Sequence, residues 1–254
     1  MTQPPTKPNR QSPPRDDRPA QRPDSSIDRP GQPANQADDR PGQAGPTDQP
    51  APFVHETAIV ELGATLGPGT KVWHFCHVMG GARIGPSCIF GQNVFMGDVQ
   101  VGAGCKVQNN VSLYNGVLLE DHVFVGPSAV FTNVRTPRAH VSRHDEYQHT
   151  VVRKGCTIGA NATIVCGVTL NEYAFVGAGS VVTHDVPAHA MVYGAPARQA
   201  GWSCRCGEIL NLPVQIGSQT SANSESIIAT CTRCGDRYRL TGSTLTLERD
   251  GTKR

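Results

Sequence analysis

The chain has 254 residues and a formal net charge of +2. That length allows one or two domains, and that charge excludes a strong pull toward nucleic acid or an anionic membrane surface. With no run of 18 apolar residues and no apolar secretory core at the N-terminus, the nine cysteines are expected to be thiols of a reducing cytoplasm rather than a disulfide framework.

Residues 1–51 hold twelve of the 20 prolines, one isoleucine (Ile27), and no Leu, Val, Phe, Tyr or Trp. Such a segment cannot bury enough apolar surface to offset its chain entropy. A degenerate repeat recurs as DDRPAQ at 16–21, DRPGQ at 28–32 and DDRPGQ at 38–43. Its charges alternate in sign, so it is no basic nucleic-acid arm. A disordered Pro-rich tail is predicted. A Pro-rich docking peptide is the competing reading, without a clear PxxP or aromatic context to favour it.

Residues 52–199 follow a six-residue rule. A large apolar residue recurs at Val54, Val60, Leu66, Val72, Val78, Ile84, Phe90 and Met96. One residue is dropped, and the count resumes at Val101, Val107, Leu113, Leu119, Val125 and Phe131. After an interruption it returns at Val152, Ile158, Ile164, Leu170, Val176 and Val182. A six-residue period predicts a parallel β-helix whose triangular coils take about 18 residues each. Slot one carries the large residue and slot five a small one, so the two fill a narrow core. Cys76, Cys88, Cys105 and Cys156 occupy slot five and read as small core hydrophobes. Glycine often follows slot one, as at Gly67, Gly85, Gly126, Gly159 and Gly177, where it is expected to serve a sharp corner.

The rule lapses between Phe131 and Val152 in a stretch rich in Arg, His and acids. A long loop projecting from a regular solenoid is where function is expected, the alternative being a solvated crossover. Beyond residue 199, Cys204-Arg-Cys206-Gly is followed by Cys231-Thr-Arg-Cys234-Gly. Two close cysteine pairs, each followed by glycine, predict a zinc-ribbon-like module over 200–254, with Cys204, Cys206, Cys231 and Cys234 as thiolate ligands of a structural zinc. The first pair has one intervening residue instead of two, a small departure from the usual spacing. So small a module with few apolar groups needs such a staple.

The hexads resemble the hexapeptide-repeat acyltransferases, whose chains coil as a left-handed parallel β-helix and usually form homotrimers with active sites between subunits. The hand comes from that resemblance alone, since parallel crossovers are right-handed by default. WHFCHV (73–78), GQNVF (91–95), VQNNVSLY (107–114), LEDHVFVGPSAVFTNV (119–134), DEY (145–147), IGANATIVCGV (158–168) and YGAPARQAGW (193–202) occur together. In concert they resemble bacterial N-acetyltransferases acting on the 3-amino group of a UDP-linked 2-acetamido-3-amino uronic acid in surface-polysaccharide synthesis. A dTDP-linked 3-amino-deoxyhexose is the alternative substrate, and a noncatalytic β-helix scaffold the alternative class.

The resemblance implies amide formation from acetyl-CoA and a sugar amine. Such an amine titrates roughly like an α-amino group, near 7.7–8.0, so a fair fraction is neutral at cytoplasmic pH and a strong general base is not obligatory. Asn133, in FTN where the prism opens, is the first candidate to orient the amine; its competing role is to cap the turn. Gln108, Asn109 and Asn110 are candidate substrate contacts, or else a corner-stabilising asparagine ladder. Arg138, Arg143 and Glu146 are further substrate candidates, since an arginine pairs with a carboxylate or diphosphate in bidentate fashion; a loop-internal ion pair is the alternative. His140, His144 and His149 are weighed as a base, as in several other hexapeptide acyltransferases. His74 and His77 flank Phe75 on a rung, and His55, His122, His184 and His189 read as surface or turn residues. For CoA, Arg153, Lys154 and Arg198 are the basic candidates, and Ala178 and Ser180 the backbone contacts.

Overall fold

The computed structural model describes residues 50–214 and 226–249. Nearly all of the predicted tail, residues 1–49, lies outside the described residues. The described chain is all-β apart from one 3-10 turn, His144–Glu146. Coil one runs through β1 (Phe53–Val54), β2 (Ile59–Val60) and β3 (Thr65–Leu66), and coil two through β4 (Lys71–Val72), β5 (His77–Val78) and β6 (Arg83–Ile84). Coil three has β7 (Ile89–Phe90), β8 (Phe95–Met96) and β9 (Gln100–Val101), and coil four β10 (Lys106–Val107), β11 (Ser112–Leu113) and β12 (Val117–Leu119). Coil five has β13 (Phe124–Val125), β14 (Val130–Phe131) and, beyond the loop, β15 (Thr150–Val152). Coil six has β16 (Thr157–Ile158), β17 (Thr163–Ile164) and β18 (Thr169–Leu170). A seventh coil starts with β19 (Phe175–Val176) and β20 (Val181–Val182), and its third side is a single parallel bridge from Leu170 to Val186.

Like sides of successive coils stack as three parallel sheets. Phe53 pairs with Lys71 and Val54 with Val72, eighteen residues on. A two-residue strand has no partner within its own coil, so each N–H finds its acceptor one coil away. Slot-one residues from Val72 to Val182 are buried, as are the slot-five residues from Thr70 to Ser180. The first coil is more open: Val54 and Ile59 are exposed and Ala58 and Ala64 half-buried. The dropped residue falls between Met96 and Val101. There Val99 turns inward at 1% exposure and its carbonyl accepts from Arg83 N, so the five-residue side keeps both an inward residue and the ladder.

Two corner positions have different requirements. Slot four takes a left-handed backbone: Gly69, Phe75, Ser87, Asn93, Gly104, Asn110, His122, Ser128, Asn161, Tyr173 and Gly179 all have φ between 55° and 71°. The glycines of slot two stand at the corner as expected, but they are not left-handed, so conformational freedom is not why they are glycine. They are there because the next coil leaves no room: a Cβ on Gly67 would lie 2.4 Å from Pro86 N, and one on Gly159 2.4 Å from Ala178 N.

The slot-five cysteines also do more than fill space. Cys76 Sγ donates to Gly91 O at 3.0 Å, Cys88 to Gly102 O at 3.1 Å, Cys105 to Glu120 O at 3.0 Å and Cys156 to Asn171 O at 2.9 Å. Thr70 Oγ1 does the same to Gly85 O at 2.8 Å. In each case a small inward donor meets a slot-two carbonyl of the next coil, a group that the strand ladder leaves free at the bend. Thr150 also points inward, fully buried, but its Oγ1 has no partner.

The last coil is closed by β21 (Ala190–Tyr193), which joins β19 in parallel. The chain then folds back antiparallel as β22 (Arg198–Ser203) and β23 (Ile209–Leu210), extending the first sheet to ten strands. A separate three-stranded antiparallel sheet follows, β24 (Ile227–Thr230), β25 (Arg237–Thr241) and β26 (Thr244–Arg249). Tyr238, Leu240 and Leu245 point into its small core, and Leu247 stays exposed. Among the described residues no helix is long and apolar enough to cross a membrane.

Gly159→Ala is expected to lose about 1–3 kcal/mol to overpacking against backbone. Gly179→Asn is expected to be near neutral, because a Cβ there meets nothing within 4 Å and slot four accepts Asn at 93, 110 and 161. Equal urea midpoints for the two variants would contradict the assignment of the two slots. Thr150→Val is expected to raise the midpoint, by about 1 kcal/mol, since it removes an unpaired buried hydroxyl; a lowered midpoint would mean that the hydroxyl is satisfied.

Candidate functional site

The loop leaves the corner between the second and third sheets directly after Phe131. Thr132 still obeys the ladder: its N donates to Ile164 O at 3.1 Å and its Oγ1 accepts from Cys166 N at 2.9 Å. Cys166 is fully buried beneath it, an inert position for a thiol. The two stems are tied by Gln148 N donating to Asn133 O at 2.9 Å and by Arg135 Nε donating to Gln148 Oε1 at 3.1 Å. Val117 pairs with Thr150 and Val130 with Thr163, so the prism resumes in register below the loop.

Inside the loop, Arg143 NH1 donates to both carboxylate oxygens of Glu146, at 2.7 and 2.8 Å. Its Nε is buried with no partner, a donor without an acceptor. His144 Nδ1 lies 3.0 Å from Tyr147 OH. Asn133, Arg138, His140, Arg143, His144 and Tyr147 line a cavity of about 440 Å³. The structure thus brings Asn133, Arg138 and Arg143 together, with Glu146 held on Arg143. The cavity combines two guanidinium groups, an amide, a phenol and two imidazoles. It can hold a polar anionic ligand and orient a hydrogen-bonding group at Asn133. His149 lies outside that lining, with Nδ1 3.3 Å from Gly116 O. Arg135 and Tyr147 were not singled out from the sequence; Tyr147 was readable in DEY, whereas the Arg135–Gln148 tie joins positions that only the loop's path brings together.

Gln108, Asn109 and Asn110 lie elsewhere, at the corner between the first and second sheets of coil four. Asn109 Oδ1 accepts from Gln92 N at 2.8 Å, and Asn93 Nδ2 donates to Asn110 Oδ1 at 3.2 Å. These contacts form a corner ladder, although Asn109 and Asn110 remain exposed. Within one chain they do not meet the loop cavity.

The candidate CoA residues are spread over three places. Arg153 NH1 pairs with Glu120 Oε1 at 2.6 Å, which raises the guanidinium pKa, and Lys154 N donates to Glu120 Oε2 at 3.0 Å. Lys154 borders an open groove of about 720 Å³ along the third sheet, together with Arg83, Gln100, Leu118 and Asp121. Ala178 is exposed at a corner of the last coil. Ser180 is fully buried, its Oγ accepting from Gly194 N, its N–H bonded to Gly177 O and its carbonyl to Thr163 N. Ser180 therefore has no free backbone group to offer, which corrects its reading as a backbone contact. Arg198 opens β22 and borders a smaller hollow of about 250 Å³ with His184 and Asp185.

A row of partly exposed rings runs down the second sheet. Tyr114 and Phe95 have centroids 5.8 Å apart, and Phe95 and His77 5.7 Å apart. His77 Nε2 is 2.7 Å from Glu61 Oε1; that bond and one from Gly80 N hold the Glu61 carboxyl below its usual range. Beside the row, Trp73 and Phe75 are 38% and 59% exposed. His189, expected at the surface or in a turn, lies in a turn but is buried between the rings of Tyr173 and Tyr238.

At the C-terminal end, the four Sγ atoms of Cys204, Cys206, Cys231 and Cys234 lie within 4.8 Å of one another. Cys204 and Cys234 are 3.4 Å apart and Cys206 and Cys231 3.6 Å. Thiolates about 2.3 Å from a tetrahedral zinc sit about 3.8 Å from each other, so the four sulfurs fit that ion with little movement. Asp236, 1% exposed, accepts from Arg205 Nε at 2.6 Å and NH2 at 3.1 Å. That pair, with its buried carboxylate, was not legible in the cysteine pattern.

Residues 63–98 and 149–184 match the family described as Bacterial transferase hexapeptide (six repeats). The chain is 42% identical over 187 residues to a dTDP-3-amino-3,6-dideoxy-alpha-D-galactopyranose 3-N-acetyltransferase of Aneurinibacillus thermoaerophilus, across 74% of this chain and 90% of that protein. It is 31% identical over 148 residues to the bifunctional protein GlmU of Streptomyces griseus, across 58% of this chain and 29% of that protein. Among solved structures, PerB from Caulobacter crescentus, in complex with CoA and GDP-perosamine, aligns with a TM-score of 0.40 and 22% identity over 60% of this chain and 58% of that one.

Proposed function

The chain belongs to the hexapeptide-repeat bacterial transferases, left-handed parallel β-helix enzymes, as a sugar-nucleotide N-acetyltransferase, and we propose that it moves the acetyl group of acetyl-CoA to the 3-amino group of a UDP-linked 2-acetamido-3-amino uronic acid. The observation that carries this reading is the loop cavity, where Asn133, Arg138 and Arg143 converge. A dTDP-linked 3-amino-deoxyhexose is the second reading, favoured by the 42% identical relative.

In the reaction, the neutral amine attacks the thioester carbonyl. The C–N bond forms, the C–S bond breaks, and the amine's proton leaves to give free CoA thiol. Asn133 accepts a hydrogen bond from the amine and aims it; an amide is no base at neutral pH, so this is a positioning role. Arg138 pairs with the uronate carboxylate or the diphosphate, and Arg143 with its unpaired Nε supports that charge. Asn109 and Asn110 face the substrate from a neighbouring subunit in a homotrimer. Two features support the trimer: those residues and the loop occupy different corners of one chain, and the exposed Trp73, Phe75 and Tyr114 offer apolar surface for a subunit contact. Arg153, Lys154 and Arg198 meet the phosphates of CoA, with Ala178 along its arm. The four cysteines hold a structural zinc whose closed tetrathiolate shell leaves no open position for catalysis. Five cysteines kept as thiols and four as metal-bound thiolates would fit a reducing cytoplasm.

Thiol release from acetyl-CoA, followed with UDP- and dTDP-linked 3-amino sugars, is expected to give turnover with the UDP-uronate and less with the dTDP-deoxyhexose. The reverse order would establish the second reading, and no turnover with any 3-amino nucleotide sugar would sink both. Asn133→Ala is expected to lower kcat about 100-fold, as small misplacements of a nucleophile do, with acetyl-CoA affinity unchanged. An unchanged kcat would remove Asn133 from the site.

A further inference from the structure

We propose that the four-thiolate knuckle is a metal-held clamp: it fastens the three-stranded sheet onto the last coil of the prism and so fixes β22 and β23, the exposed end of the first sheet. This rests on the structural-zinc reading above.

The two cysteine pairs come from different sheets. Cys204 and Cys206 form the turn between β22 and β23, closed by Cys204 N donating to Glu208 O at 2.8 Å and Gly207 N to Cys204 O at 2.9 Å. Cys231 and Cys234 form the turn between β24 and β25, closed by Cys231 N donating to Asp236 O at 2.7 Å and Gly235 N to Cys231 O at 3.0 Å. A single ion bound to all four thiolates therefore crosslinks the ten-stranded and three-stranded sheets. Among the described residues, no strand pairing joins those two sheets. Among the described residues, they also share a buried apolar cluster, with Trp202, Leu210 and Leu212 packed together with Tyr238, Leu240 and Leu245, and side-chain contacts converge around one buried point. Arg205 reaches Asp236, Arg205 N donates to Tyr238 OH at 3.0 Å, and Tyr238 OH donates to Cys204 Sγ at 3.3 Å. The Tyr238 ring meets His189 edge-on at 5.1 Å, and His189 stacks on Tyr173 of the last coil. Burial lowers the His189 pKa, which keeps the ring neutral with Nδ1–H donating to Ser203 O at 3.0 Å. The prism, the hairpin and the second knuckle thus converge on the sulfur cluster.

A solenoid needs such a device because its terminal coil has an unpaired edge that invites pairing with another chain. The hairpin moves that edge outward to β23, a strand of two residues. The small sheet contributes few apolar side chains, Tyr238, Leu240 and Leu245, to the shared core, and a tetrathiolate metal would add to what holds it there. Because β22 begins at Arg198, the clamp also fixes a proposed acyl-donor contact.

The test uses the full-length protein. Metal content is measured after purification, and hydrogen exchange is followed by mass spectrometry before and after metal removal, then after addition of zinc alone. The expected result is one zinc per chain. Removing it should cut the protection of β22–β26 by about tenfold or more, as for a local opening, while β7 to β17 keep theirs and zinc restores the rest. Absence of metal overturns both the zinc reading and the clamp. Metal whose removal leaves β22 and β23 equally protected overturns the clamp and leaves the zinc reading intact. Loss of protection throughout the prism overturns a local clamp. Cobalt substitution gives a second readout, since a thiolate charge-transfer band lost in Cys231→Ser confirms ligation without requiring activity, and its persistence contradicts it. If β22 loosens while acetyl-CoA affinity is unchanged, Arg198 is not a donor contact and the clamp stands.

Discussion

The whole prism depends on backbone hydrogen bonds made from one coil to the next. Strands of two residues cannot stabilise themselves, so every coil must present its donors and acceptors in the register of its neighbour, as Phe53 and Val54 do to Lys71 and Val72. That constraint fixes the sequence at four slots. Two point inward and are apolar or small, and Thr70 and the four slot-five cysteines also reach a carbonyl of the next coil. One adopts a left-handed backbone in most coils. One must often be glycine because the next coil passes within van der Waals distance. Irregularity is tolerated only where the register survives it. The lost residue before Val101 is absorbed by Val99, and the long loop leaves and returns with Val117 opposite Thr150.

This constraint explains what could be read from the chain and what could not. The period, the inward slots and the coil length follow from spacing alone, because burial alternates with a fixed step. The role of the slot-two glycines does not, since composition cannot separate a glycine needed for φ from one needed for close approach. The burial of His189 was equally hidden, because its partner Tyr238 lies 49 positions away in another sheet. The loop itself was legible in its break from the rule. Its internal geometry was not: nothing local says that Gln148 returns to Asn133 or that Arg143 folds onto Glu146. The four cysteines paired correctly into a cluster from spacing, yet the Asp236–Arg205 pair beneath them carried no sequence signal beyond an acid after a glycine.

Under the proposed function, chemistry and architecture fall to different residues. The regular positions are occupied with holding coils together, and even their polar members, such as Cys105 and Ser180, have hydrogen bonds within the fold. The candidate substrate groups sit at departures from regularity: the loop after Phe131, the polar corner at Asn109 and Asn110, and the β22 hairpin with Arg198. A single chain presents these at separate corners, which is the arrangement expected when a groove is completed by a neighbouring copy.

The most direct measurement is replacement of residues 135–147 by a short glycine-rich turn, followed by thermal melting and acetyl-CoA thiol release in the presence of a nucleotide-linked 3-amino sugar. A rigid prism carrying a separable catalytic loop predicts a midpoint within a few degrees of the parent, by about the closure entropy of a shortened loop, and no turnover. Retained turnover would place the chemistry elsewhere on the prism, and a collapse of the melt would make the loop part of the fold instead of its functional insertion.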